Sequence, residues 1–350
     1  MKISSAALFT AAGIAALAMS PANAFESGYG GQSFKAGGLI GASAGVPPPG
    51  IYMFNQIFTY QANLSGPGVN TLLGGNKKVG VQVANDDQGF LFVPGWTFLG
   101  ATYDAVFVQP FIQTSVGNSL AAPAQQFSGV HNSYIAPVEL SWILGKSGFV
   151  VKTGLGIWTP DGTIQGPTGL ANQGAPFWTF VPEVIVSYLK DGWNLSAALY
   201  EEINTENSRS HYTSGNIFHA DFTATKTIGK WTVGPVAYYY GQVTNDTCNA
   251  NCLPFTAVVP GIGPTGTLLN PQRFNVWAVG GLVAYNFGPA SLSVWATQEV
   301  SANASNRSAA ALVGEDFSLI PKGSTVFATL SYRLIGFDET APSKAPAFHK

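Results

Sequence analysis

Trp193-Asn194-Leu195-Ser196-Ala197-Ala198-Leu199-Tyr200-Glu201-Glu202 changes character at almost every step. Trp193, Leu195, Ala197 and Leu199 fall on one side of an extended chain, and Asn194, Ser196, Ala198, Tyr200 and Glu202 fall on the other. Successive side chains of a strand point to opposite faces, so this run has one greasy and one wet face. The pattern returns where Phe218, Ala220, Phe222 and Ala224 alternate with His219, Asp221, Thr223 and Thr225. It returns again where Val326, Ala328, Leu330, Tyr332 and Leu334 alternate with Thr325, Thr329, Ser331 and Arg333. The gaps between such runs are long and short in turn, as an up-and-down barrel in the bacterial outer membrane requires.

Working outward, strands are expected over 51–64, 78–93, 96–114, 133–143, 148–158, 177–189, 193–203, 212–228, 231–244, 273–287, 291–301 and 324–337. In the first, Tyr52, Phe54, Phe58 and Tyr60 share one face, and Asn55, Thr59 and Gln61 the other. Within the second, Asn85-Asp86-Asp87-Gln88-Gly89 also reads as a turn; twelve strands are expected, with fourteen as the alternative. Lys190-Asp191-Gly192 is a hairpin signal. An even count returns both chain ends to the periplasm and sends the long loops outside. The expected fold is therefore all-β: a transmembrane up-and-down antiparallel β-barrel over 51–337.

The ends differ from the middle. Lys2 followed by the apolar stretch Ala6 to Met19 and Ala22-Asn23-Ala24 reads as an export signal over 1–24, cleaved after Ala24. The residue directly after the cleavage point is Phe25 and not Cys, which argues against a lipid anchor. Residues 25–50 are rich in Gly, Ser and Ala and end in Pro47-Pro48-Pro49-Gly50. Three prolines do not fit a sheet interior. This leader is expected to plug the barrel mouth, anchored by Tyr29, Phe34, Leu39 and Ile40; the alternative is a periplasmic arm. Residues 338–350 carry prolines and charges and are expected to form a disordered periplasmic tail.

Composition agrees. Charged residues make up only 10% of the 350, aromatics reach 13%, and there are 41 glycines. That is too apolar for a disordered chain and too poor in charge for an ordinary soluble surface. No basic run suits nucleic acid. A soluble sandwich or β-helix would also alternate, but it would bury most of its aromatics. Here Trp142, Trp178, Trp193 and Trp231 sit near strand ends on the apolar face, where a membrane boundary favours them. Both cysteines lie in Cys248-Asn249-Ala250-Asn251-Cys252. In an oxidising compartment a disulfide loop is expected; free thiols are the alternative, and a metal is disfavoured because no further Cys or His is near.

If the greasy face meets lipid, the other face lines an enclosed centre. Strand parity places Asp104, Glu139, Lys152, Glu183, Glu202, His219, Asp221, Glu299 and Arg333 there, with carboxylates pairing to Lys152 and Arg333. The rings Phe177, Tyr200, Tyr238, Tyr240, Trp295 and Phe327 join them. These charges either brace a packed lumen or line a solute path. Catalytic signals are weak. The chain has neither H-E-x-x-H nor G-x-S-x-G, and His219 with Asp221 offers only a remote hydrolase reading.

Several short stretches resemble one known family. They are Glu26-Ser27-Gly28, Ala44-Gly45 and Pro47-Pro48-Pro49-Gly50-Ile51-Tyr52; then Ala136-Pro137-Val138-Glu139-Leu140-Ser141-Trp142. Phe177-Trp178 through Tyr188, Leu195-Ser196 and Asn204 to Asn207 follow. Tyr212-Thr213-Ser214-Gly215-Asn216 and Gly241-Gln242-Val243-Thr244-Asn245-Asp246 complete the series. In that order they resemble the outer-membrane proteins of the meta-pathway of phenol degradation, or SphA-like, family. The resemblance implies a transport-type outer-membrane channel for hydrophobic or aromatic carbon sources; with the ring-lined interior, the expected function is passive uptake of small hydrophobic or aromatic compounds, with no cofactor. Its implied partners are outer-membrane lipid, those solutes and the assembly machinery. It brings no catalytic residues. The cysteine loop and the residues after Phe337 depart from the family's pattern. The rival reading is a structural or adhesive barrel with a closed lumen.

Overall fold

The computed structural model describes residues 35–73, 79–116, 125–165, 172–248, 258–259, 263–264, 273–306, 314, 316 and 318–337. Twelve long strands form the wall. They are β1 (Gly50–Ser65), β2 (Gly80–Val93), β3 (Ala101–Val116), β4 (Tyr134–Ile143), β5 (Phe149–Trp158) and β6 (Thr179–Lys190). After them come β7 (Trp193–Asn204), β8 (Ile217–Ile228), β9 (Trp231–Gln242), β10 (Arg273–Asn286), β11 (Ala290–Ser305) and β12 (Ile320–Gly336). Each pairs antiparallel with its neighbours in sequence, and β1 closes on β12 from Gly50–Gly336 to Ser65–Ile320. Closure leaves no edge strand, so the wall's backbone groups pair mainly with neighbouring strands of the same sheet. The strands run close to their expected bounds, and Asn85 to Gly89 continues β2 without a turn.

The hairpin between β6 and β7 shows how sequence sets a turn. Asp191 (φ 53°) and Gly192 (φ 75°) are both left-handed, as a two-residue primed turn needs. Two starts differ from expectation. β3 begins at Ala101, because Thr97–Phe98 folds back onto Ala101 and Thr102. β8 begins at Ile217, because Tyr212–Thr213 pairs instead with Thr247–Cys248 in the loop beyond β9.

Parity holds around most of the wall. Val184, Val186, Leu195, Val233, Val279, Val283, Val326 and Leu330 are exposed outward, and Trp178, Trp193 and Trp231 stand exposed at strand ends. β1 inverts the rule. Phe58 and Tyr60 are buried inside, while Ile57, Thr59 and Gln61 point out. The inverted face is used: Phe58 packs on Phe327 with ring centres 5.0 Å apart. Outside, Asn55 donates to Asp86 at 2.5 Å and Gln88 donates to the same carboxylate at 2.9 Å, so these polar groups satisfy one another. The signal segment, Tyr29, Phe34, the Cys252 partner of the expected disulfide, the side chain of Cys248 and the tail after Phe337 lie outside the described residues.

Candidate functional site

A segment without strand or helix must still find partners for its backbone amides. Residues 35–49 find them on the inner wall. Gly37 and Leu39 donate their N–H groups to the two oxygens of Asp221, at 3.1 and 3.0 Å. Gly41 donates to Thr223 Oγ1 at 2.8 Å, and Ala44 to Ser187 Oγ at 2.9 Å. Trp295 Nε1 donates to the Gly37 carbonyl at 3.0 Å. Small residues make this approach feasible: a Cβ on Gly37, itself at φ 87°, would come within 2.7 Å of the Tyr238 ring. Ile40 and Ala44 are buried against the wall. The segment therefore lies within the barrel, along the side formed by β6 to β11.

Its charged end makes the densest polar knot. Lys35 stands 3.4 Å from Glu299 and 3.9 Å from the centre of the Tyr60 ring. Glu299 also accepts from Tyr60 Oη (2.8 Å), Tyr238 Oη (2.8 Å) and Gly323 N (2.7 Å). Four donors around one buried carboxylate compensate it by charge-assisted hydrogen bonds.

A second feature follows from register. Asp104 opposes Glu139, Glu139 opposes Gly154, Gly154 opposes Glu183, and Glu183 opposes Tyr200. Tyr200 opposes His219, which opposes Tyr240. Residues directly opposite share a face, so the row is a continuous inward belt from β3 to β9. At its aromatic end His219 is sandwiched, its ring centre 4.5 Å from that of Tyr200 and 5.8 Å from that of Tyr240. Its Nε2 is 3.4 Å from Glu202. At the acidic end Lys152 reaches Asp104 at 3.0 Å and Glu139 at 2.7 Å.

Between the leader and the β1 to β5 side remains a cavity of about 660 Å³. It reaches from Pro47, Ser331 and Arg333, at the end where β1 begins and β12 finishes, to His131, Asn172 and Gln173 in the loops at the other end. Its middle is lined by Phe54, Phe58, Val106, Val108, Ile112 and Phe327, with Asp87, Glu139, Lys152 and Glu183 among them.

All the expected interior residues from Asp104 to Glu299 are buried within the barrel. Of these, only Glu139, Lys152, Glu183 and Tyr240 line the cavity; Asp104, Tyr200, Glu202, His219, Asp221, Tyr238, Trp295 and Glu299 stand behind the leader or away from it. Arg333 corrects its expected pairing with a carboxylate. It is exposed at the mouth, donates to the Pro49 carbonyl and lies over the Tyr52 ring. The reason is position: Arg333 is in the last turn of wall before Gly336, below the level of the acidic belt. Lys35, the actual partner of Glu299, carries no signal in the sequence, because a lone Lys in a Gly-rich leader has no periodicity to place it. The oxygens of Asp221 accept from leader amides, and the imidazole of His219 lies 3.4 Å from Glu202 instead.

Above the wall, Asp246 fastens the loops. It accepts from Tyr212 Oη at 2.5 Å, Gly215 N at 2.7 Å and Gln242 Nε2 at 2.7 Å. Burial pushes its carboxyl up to about 6, against the pull of those donors and of the Arg273 charge. An acid raised on folding stabilises most when protonated, and that contribution declines as pH rises through the folded value. The unfolding midpoint of the wild type, minus that of Asp246→Asn, should fall between about pH 4 and pH 6 and then level off. Thermal unfolding in detergent at stepped pH checks this; a flat difference would contradict it.

Comparison with known proteins agrees with this architecture. The model of the family described as "Putative MetA-pathway of phenol degradation" matches residues 61–313. The chain belongs to this family. Among solved structures, it is similar to the COG4313 outer membrane channel from Pseudomonas putida F1, with a TM-score of 0.62 at 11% identity. That match covers 83% of this chain and 98% of the other. A FadL homologue from Pseudomonas aeruginosa gives a TM-score of 0.43 at 8% identity, covering 87% of this chain and 99% of that one. The toluene transporter TodX from Pseudomonas putida gives 0.38 at 9%, covering 91% and 96%. No curated protein sequence matches. The first of these structures shares the outer-membrane barrel fold of this chain. The family match spans the wall from the end of β1 to beyond β11, and does not include residues 35–49.

Proposed function

We propose that this family member is an outer-membrane channel that passes small hydrophobic or aromatic solutes by diffusion, through the cavity between the leader and the β1 to β5 wall. The observation that carries the reading is the extent of that cavity, from the periplasmic mouth to the outer loops. Its size falls in the range that encloses small organic ligands. Its rings and branched side chains hold an apolar body, while a few charged groups hold water and set selectivity. On this reading the leader is a plug that narrows the lumen, and the long loops face the cell exterior.

The competing reading, a structural barrel with a closed lumen, draws on the leader's many bonds to the wall. Planar-bilayer recordings on purified protein, combined with uptake of a labelled aromatic solute at low concentration by cells with and without the gene, separate the two. The channel reading expects discrete current steps and slower uptake without the protein. Absence of both would leave the closed barrel.

A further inference from the structure

The acidic end of the belt sets three carboxyl groups, those of Asp104, Glu139 and Glu183, around a single ammonium. Lys152 is engaged by Asp104 and Glu139. Glu183, one strand further, is 7% exposed and lines the cavity, and its Oε1 accepts no hydrogen bond from the described residues. The backbone has been cleared for it. Glu139 and Glu183 both oppose Gly154, one from each side, and a Cβ on Gly154 would stand 3.0 Å from Glu139 Cγ and 3.0 Å from Glu183 Oε1. A bare residue between them lets the two carboxylates face each other across β5. Buried carboxylates need a donor or a cation.

The chemistry of the missing group is constrained by its neighbours. Among the described residues, no three acidic or imidazole side chains converge as a metal cage. The group that Glu139 already holds, together with Asp104, is an ammonium, that of Lys152. Beside Glu183 in the same cavity lie Ile185, Val106 and Val108, which offer an apolar wall for whatever the charged head carries. We propose that Glu183, supported by Glu139, binds the head of a protonated primary amine whose body is aromatic or alkyl. This rests on the channel reading and narrows its solute class: apolar amines are favoured and carboxylates of the same size are turned away by like charge.

Calorimetry on the folded mature protein in detergent tests it with three probes of one shape: benzylammonium, benzyl alcohol and benzoate. A charge-assisted bond makes benzylammonium bind roughly tenfold or more tighter than benzyl alcohol, and benzoate should give no measurable binding. Glu183→Gln, with folding checked by heat-modifiable gel migration, should remove that advantage and bring benzylammonium and benzyl alcohol to similar affinity. Gly154→Ala, whose methyl crowds the same two carboxylates, should act in the same direction if the first variant folds poorly. Equal binding of the three probes, or a Glu183→Gln protein that keeps its preference, overturns the site. Reversal potentials in bilayers keep the two readings apart. Current without preference for benzylammonium sinks the site alone; benzylammonium binding without current sinks the channel alone.

Discussion

Removing residues 25–49 should raise single-channel conductance by roughly threefold or more, since conductance follows free cross-section and a barrel of this strand number has little to spare. The leader lies within the lumen along β6 to β11, held by Asp221, Thr223, Ser187 and Trp295. None of those bonds belongs to the wall's own ladder, so the barrel should assemble without them. The deletion nevertheless exposes Glu299 to the loss of Lys35, its only ionic partner among the described residues. Tyr60, Tyr238 and Gly323 still donate to it, and water entering the vacated space can solvate it. A graded version keeps the chain intact. Asp221→Asn retains the size of the side chain but turns one acceptor into a donor facing a leader amide, so it should loosen the segment and increase the frequency of brief large openings. Recordings of both proteins in planar bilayers check this. Unchanged conductance in the deletion would mean that solute never passes beside the leader.

How much of this could be read beforehand depends on what kind of signal each residue carries. The wall was legible because alternation is a local property: β7 announces its two faces in ten residues, and Asp191-Gly192 announces its turn in two. The belt was legible residue by residue but not as a belt, since register between strands depends on turn lengths and bulges. The skipped residue between Asp104 and Val106, which resets β3 against β4, is invisible without the partner strand. β1 misleads because its aromatics serve the interior. A face of Tyr, Phe, Phe and Tyr looks fit for lipid until Glu299 is seen to need the Tyr60 hydroxyl. Lys35 and Arg333 fail for a related reason. A charge outside a periodic run, or at its very end, has its partner chosen by depth in the barrel, and depth is a property of the whole fold.

Lys152→Met should destabilise the barrel by about 3–5 kcal/mol, the loss found when one partner of a buried ion cluster is removed. Lys152, Asp104 and Glu139 are all buried, with Lys152 at 3.0 and 2.7 Å from the two acids. Methionine fills much of the space that the lysine stem occupied, so lost packing is a small part of the change. What remains is two carboxyl groups opposed across β3 and β4 without the ammonium that offsets their desolvation and their repulsion. The cost should therefore lie in the acids and not in the lysine. Adding Asp104→Asn and Glu139→Gln to Lys152→Met removes both charges at nearly constant shape. Most of the stability should return, because neutral amides can satisfy one another where carboxylates repel. Guanidinium unfolding in lipid vesicles, followed by tryptophan emission, measures all three proteins on one scale. If Lys152→Met unfolds at the wild-type midpoint, the acids are already neutral in the folded barrel, and the ammonium of Lys152 is a neighbour to them and not their counter-charge.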